Sequence, residues 1–148
     1  MADDLEERIL KANLTAMTAA LTGVHVERPP GTHLEISSDD YPAVSLRKKP
    51  KVTGRHLRGA EEIFVTVEAI CIVAGDGADP SGALSYLRSR IKAAVLANAT
   101  WGGLASDTEV VEDHEHETEV VRGEKTGVVS WQIHAYADLE DPSQVKAI

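Results

Sequence analysis

Residues 61–74 read Glu61-Glu62-Ile63-Phe64-Val65-Thr66-Val67-Glu68-Ala69-Ile70-Cys71-Ile72-Val73-Ala74. Side chains alternate across a strand, so Ile63, Val65, Val67, Ala69, Cys71 and Val73 share one face. Phe64, Thr66, Glu68, Ile70 and Ile72 share the other. The first half of this strand reads as half-buried. The second half is apolar on both sides, which predicts a central place in a sheet. Gly75-Asp76-Gly77-Ala78-Asp79 ends it. That run lacks the alternating carboxylates and final glutamate of an EF-hand loop, and it reads as a turn feeding a helix cap.

Downstream, Asp79-Pro80 supplies a cap and a proline at the first helical position. Leu84, Leu87, Ile91, Ala94 and Val95 then recur as the apolar stripe of a helix that stops by Trp101-Gly102-Gly103. Residues 108–121 and 127–137 predict an antiparallel hairpin joined by Gly123-Glu124-Lys125-Thr126-Gly127. Upstream, residues 4–22 predict a helix with Leu10, Leu14, Met17 and Leu21 facing inward. Asp3, Asp4, Glu6 and Glu7 sit at its positive end and Gly23 is its stop. Val24-His25-Val26-Glu27 predicts a short strand, Pro29-Pro30-Gly31 a break, and Ala43–Leu46 another strand led by Pro42. Residues 47–60 read as a polar, basic loop or hairpin tip, and the tail 139–148 as loose.

The sum is an α+β fold in a single domain spanning residues 1–148. A mixed, largely antiparallel sheet of four to five strands carries two α-helices packed on one face. Leu10, Leu14, Met17, Leu87, Ile91 and Trp131 are expected in one core.

At 148 residues and 43% hydrophobic, the chain can form such a core without metal or disulfide. Its net charge is −9, from 15 basic and 24 acidic residues, and aromatics make up 4%. A general nucleic-acid binder needs cations against phosphates and aromatic platforms for bases, and this composition offers neither. Cys71 is the sole cysteine, so no internal disulfide forms, and its apolar neighbours predict a buried thiol. The acidic N-terminal stretch is not a secretory signal, and no apolar run approaches the ~18 residues a membrane helix needs.

Motifs for chemistry are sparse. Glu112-Asp113-His114-Glu115-His116-Glu117 places His114 and His116 on one side of a strand, where both could grip a metal. Position 118 is Thr118, so the zinc-protease spacing is absent, and a third ligand would have to come from elsewhere, such as His134. The competing reading is a solvated strand whose charges discourage edge pairing. Gly54-Arg55-His56-Leu57-Arg58-Gly59 has the glycine spacing of a phosphate loop, but Ala60-Glu61 follows in place of Lys-Ser/Thr. No Gly-x-Ser-x-Gly elbow occurs, and no cofactor or metal is expected. The alternative left open is a small metal-dependent enzyme using His114 and His116.

Charge is segregated. Residues 41–60 hold six basic side chains, Arg47, Lys48, Lys49, Lys51, Arg55 and Arg58, and no acidic one. Residues 107–119 hold seven acidic side chains, among them Glu112, Glu115, Glu117 and Glu119, and no basic one. These are either two solvated segments or the halves of a head-to-tail contact between copies, a kind of contact that closes into rings.

The order of elements, the Asp40-Tyr41-Pro42-Ala43-Val44-Ser45 run into a strand, and the closing hairpin with Ile133-His134-Ala135-Tyr136 together resemble the tail terminator family of long-tailed phages, also called minor tail protein U-like or tail completion proteins. The resemblance covers about residues 4–137. It implies a mixed sheet flanked by helices and a structural, non-enzymatic virion protein at the tail neck, assembled in the host cytoplasm. It further implies a hexameric ring of self-contacts that caps the tail-tube protein, stops its polymerisation and meets the head–tail connector or stopper. DNA would be a transient passenger through the lumen and no membrane would be involved. The rival within virions is another neck or tail-tube component.

Overall fold

The computed structural model describes residues 3–29, 40–116 and 124–146. In chain order the elements are α1 (Leu5–Ala20), β1 (His25–Glu27), β2 (Ala43–Lys48), β3 (Val52–Leu57), β4 (Ala60–Ala74), α2 (Pro80–Ala97), β5 (Asp107–Glu115) and β6 (Glu124–Asp138). They form an α+β fold. A six-stranded open sheet runs β1-β2-β4-β6-β5, with β3 pairing β4 beyond the end of β2. β1 and β2 are parallel and every other pairing is antiparallel.

The sheet has one strand more than the four to five expected. The addition is β3, inside the stretch expected as a loop or hairpin tip. It turns into β4 through Arg58 (φ 52°) and Gly59 (φ 79°). Two left-handed residues in succession suit the twist of a two-residue hairpin. The Gly54–Gly59 run is therefore strand and turn, with no helix behind it to bind phosphate.

The helix-side face of the sheet is the core floor. Ile63, Val65, Val67, Ala69, Cys71 and Val73 of β4 meet Val129, Trp131, Ile133 and Ala135 of β6, all buried. Both helices cover this face. Asp79 accepts the Gly82 N–H at 3.0 Å to cap α2, and Leu84, Leu87, Ile91, Ala94 and Val95 are all buried. Asp4 accepts the Glu7 N–H at 2.9 Å to cap α1. Its buried stripe is Leu5, Ile9, Leu10, Asn13, Met17 and Leu21, with Leu14 only half-buried at its margin. The reason is polar: the Trp131 indole N–H donates to Asn13 Oδ1 at 2.8 Å, and Asn13 Nδ2 donates to the Ile9 carbonyl at 2.7 Å. This bond turns α1 so that Asn13, not Leu14, points at the sheet.

Trp101 stacks on Trp131 at 6.4 Å between centroids, and its indole donates to Thr108 Oγ1 at 2.9 Å. These contacts hold Trp101 in a left-handed conformation (φ 49°) that costs about 1–2 kcal/mol for a side-chain-bearing residue.

Two boundaries differ from expectation. β6 begins at Glu124, so residues 124–127 are strand and not turn; Lys125 pairs Val73 and Gly127 pairs Cys71 and Glu115. Gly127 serves close packing, since a Cβ there would lie 2.8 Å from the His114 carbonyl oxygen. The tail, expected to be loose, is held through Lys146. The Leu5 N–H donates to Pro142 O at 2.8 Å, Lys146 N–H to Tyr136 O at 2.9 Å, and the Arg8 guanidinium to Ser143 O.

Two substitutions test this core. Ile91→Ala should cost about 2–5 kcal/mol through the cavity it leaves. Asn13→Leu should cost about 1–3 kcal/mol, because the buried Trp131 N–H loses its acceptor. Denaturant midpoints read both, and an unchanged midpoint in either variant contradicts the packing described.

Candidate functional site

The basic segment runs along one side of the sheet past the end of β1, from the last residues of β2 through β3, and three of its six charges have ion-pair partners within the chain. Lys48, on the helix side of β2, reaches Glu6 of α1 at 3.1 Å. Lys49 lies 3.9 Å from Glu68 on the helix-free face. Arg47 is on that face too, opposite Glu68 in register, with a buried Nε that has no hydrogen-bond partner among the described residues. Arg55 donates its backbone N–H to Glu62 at 3.3 Å while its guanidinium stays 74% exposed. Lys51 and Arg58 are exposed and make no ion pair among the described residues. The segment is edge strand and tight turn; it does not project as a loop.

The acidic segment, β5, is the opposite edge, and its acids divide between the two faces. Asp113 and Glu115 turn to the helix side. Asp113 accepts from Arg88 at 2.6 Å and Lys92 at 2.5 Å. Burial pushes its carboxyl up, but those two cations outweigh burial and hold it below the ordinary range. Glu115 meets Lys125 at 2.7 Å and Ser81 at 3.4 Å, and the Lys125 hydrogen bond lowers its pKa. Glu112, on the helix-free face, accepts from Ser130 at 2.8 Å and sits 3.1 Å from His114; both contacts lower its pKa, Ser130 more. Asp107 and Glu109 are exposed, with no ion pair among the described residues. Glu117 and Glu119 lie outside the described residues.

His114 and His116 do lie side by side, with rings 5.6 Å apart. The third ligand suggested for them is not there. His114 pairs Val128, whereas His134 pairs Asp107, six positions further along β6. That is roughly 20 Å at a strand's rise. Among the described residues no group of three or more His, Cys, Asp or Glu side chains is placed to hold a metal ion. Cys71 is buried, and desolvation pushes its thiol up to about 12, so it carries no thiolate at neutral pH. No helix among the described residues is long and apolar enough to cross a membrane.

A polar cluster on the helix-free face has no signature in the sequence. Glu62, 8% exposed, accepts from His134 Nε2 at 2.8 Å, and the Tyr136 hydroxyl is 3.5 Å away. His134 also stacks on Phe64 at 4.8 Å. The His134 hydrogen bond, then the Arg55 N–H, lower the Glu62 pKa. The individual residue types were visible, but only the β4–β6 register shows that Glu62 is level with Tyr136 and Phe64 with His134.

No family model matches the chain, and no curated protein matches its sequence.

The charged form of Glu62 is favoured in the folded state. Its contribution is therefore complete above the ordinary glutamate value near ~4.3 and fades as pH falls through the lower folded value. Glu62→Gln should destabilise the protein at pH 7 and flatten the loss of stability below about pH 4. Denaturant titrations at several pH values check this, and an acid limb as steep as the parent's contradicts it.

Proposed function

We propose that the chain is a structural subunit of a phage tail: a tail terminator that forms a hexameric ring at the head-proximal end of the tail tube. The ring ends tube polymerisation and joins the tail to the head–tail connector. In this reading it works at the virion neck without catalysis or cofactor, and DNA passes through its acidic lumen with little tendency to adhere.

One observation carries the reading beyond the family resemblance. The sheet is open, and its two sides carry exposed charges of opposite sign that make no ion pair among the described residues, Lys51 and Arg58 on the β3 side against Asp107 and Glu109 on β5. Unlike edges on one chain favour contacts between different surfaces of successive copies, and such contacts form a ring where the rotation from copy to copy closes. A metal-dependent enzyme draws no comparable support, since His134 stands far from His114 and His116.

Size-exclusion chromatography with light scattering, on the protein alone and with tail-tube protein, tests the proposal. The expected result is a species of six times the monomer mass, alone or on tube ends, that dissociates as salt rises through the range where surface charge is screened. A monomer under both conditions overturns it.

A further inference from the structure

We infer that successive copies join by edge pairing: β5 of one copy adds, antiparallel, to the β2–β3 edge of the next, with Asp107 and Glu109 facing Lys49 and Lys51. The inference rests on the ring reading and specifies its contact.

Strand direction allows this. β3 is antiparallel to β4, β4 to β6 and β6 to β5, so β3 and β5 run in opposite senses. Copies set side by side with the same strand sense bring β5 antiparallel to the neighbour's β3. The resulting ladder would continue the sheet, as in strand addition to an exposed edge.

The heights of the charges match as well. One row across the sheet runs Val52–Phe64–His134–Asp107. Another pairs Thr66 with Gln132 and Gln132 with Glu109, and the Lys49 N–H donates to the Thr66 carbonyl at 3.0 Å. Lys49 and Val52 therefore stand at one end of two rows, with Glu109 and Asp107 at the other. Lys51 lies between the rows. Without any stagger, the next copy's Lys49 arrives level with Glu109, its Val52 level with Asp107, and its Lys51 between the two acids. An exposed side chain, Val52 at 59%, sits beside these lysines.

Charges at free edges normally keep sheets apart. Here like edges repel, which blocks two β5 strands or two β3 strands from pairing, while unlike edges attract. The arrangement thus selects the head-to-tail contact over a two-fold dimer.

Charge reversal in two variants tests this by sedimentation velocity and native mass spectrometry. Each is first shown to be folded by its thermal transition. Lys49→Glu with Lys51→Glu makes both edges acidic, and Asp107→Lys with Glu109→Lys makes both basic. Each variant alone should lose the ring species, and an equimolar mixture should regain it, because every contact in an alternating ring is again between unlike edges. If either reversal fails to fold, the neutral pair Lys49→Gln with Lys51→Gln replaces it; this pair should weaken assembly, and assembly at parental strength counts against the pairing. If the parent forms rings and both reversed variants form them equally well, edge pairing is wrong while the ring stands. If the parent forms no ring alone or with tail-tube protein, the ring reading fails and this contact with it.

Discussion

Fifteen consecutive residue pairs join β4 to β6, from Ala60 opposite Asp138 to Ala74 opposite Glu124. The other elements are arranged about this ladder. β2 and β3 share one side of it, β5 takes the other, and both helices rest on its apolar face. A ladder of this length leaves no freedom in register, because a slip of one residue would turn Trp131 and Ile133 to the helix-free face and Gln132 and His134 into the core. Trp131 adds a further constraint. Its buried indole N–H must have an acceptor, and Asn13 supplies it. That single bond ties the rotation of α1 to the centre of the sheet.

The charges of the chain perform two different tasks. Some tie elements together. Arg28 of the segment after β1 grips Glu7 of α1 with two bonds of 2.6 and 2.9 Å, and Asp113 gathers Arg88 and Lys92 from α2 onto β5. Partly exposed pairs of this kind are each worth little, about 0–1 kcal/mol, but they orient helices already docked by apolar contact. Others, Lys51, Arg58, Asp107 and Glu109, make no ion pair among the described residues. Counting charges by segment merges the two groups, which is why Lys48 and Glu115 looked like surface charges and are in fact internal ties.

Periodicity made the core legible. All five residues of the α2 stripe and every inward position of β4 that alternation selected are buried, because a continuous apolar face has one place to go. β3 was not legible as a strand. Val52, Thr53, Gly54, Arg55 and His56 are exposed, so no buried face stamped a period of two on them. The start of β6 at Glu124 is hidden in the sequence because Gly127 suggests a turn, whereas its missing side chain makes room for the His114 backbone. Asn13 and Trp101 escaped notice for the opposite reason. One is polar in an apolar stripe and the other sits beside two glycines, and only the tertiary contact with Trp131 explains either. Of the candidate site, the segregation of charge was readable and the identity of the unpaired charges was not, since pairing depends on which face each residue takes.

Both edges carry an irregularity, and the two irregularities confine the regular backbone to the same part of the sheet. On β3 the register shifts between Thr53 and His56, and on β5 between Val110 and Glu112. Bulges twist an edge strand away from further pairing. The stretch of β5 before its bulge is Asp107–Val110, and the stretch of the opposite edge before its bulge ends at Thr53. Thr53 pairs Ile63, Ile63 pairs Ala135, and Asp107 pairs His134, so these two stretches lie at the same height. The exposed acids Asp107 and Glu109 fall within the first stretch, and the exposed cations Lys49 and Lys51 flank the second, in the link between β2 and β3. Elsewhere on these two strands the bulges oppose added strands. The fold thereby limits edge pairing to a short window on each side, and charge limits the occupant of each window to the unlike edge.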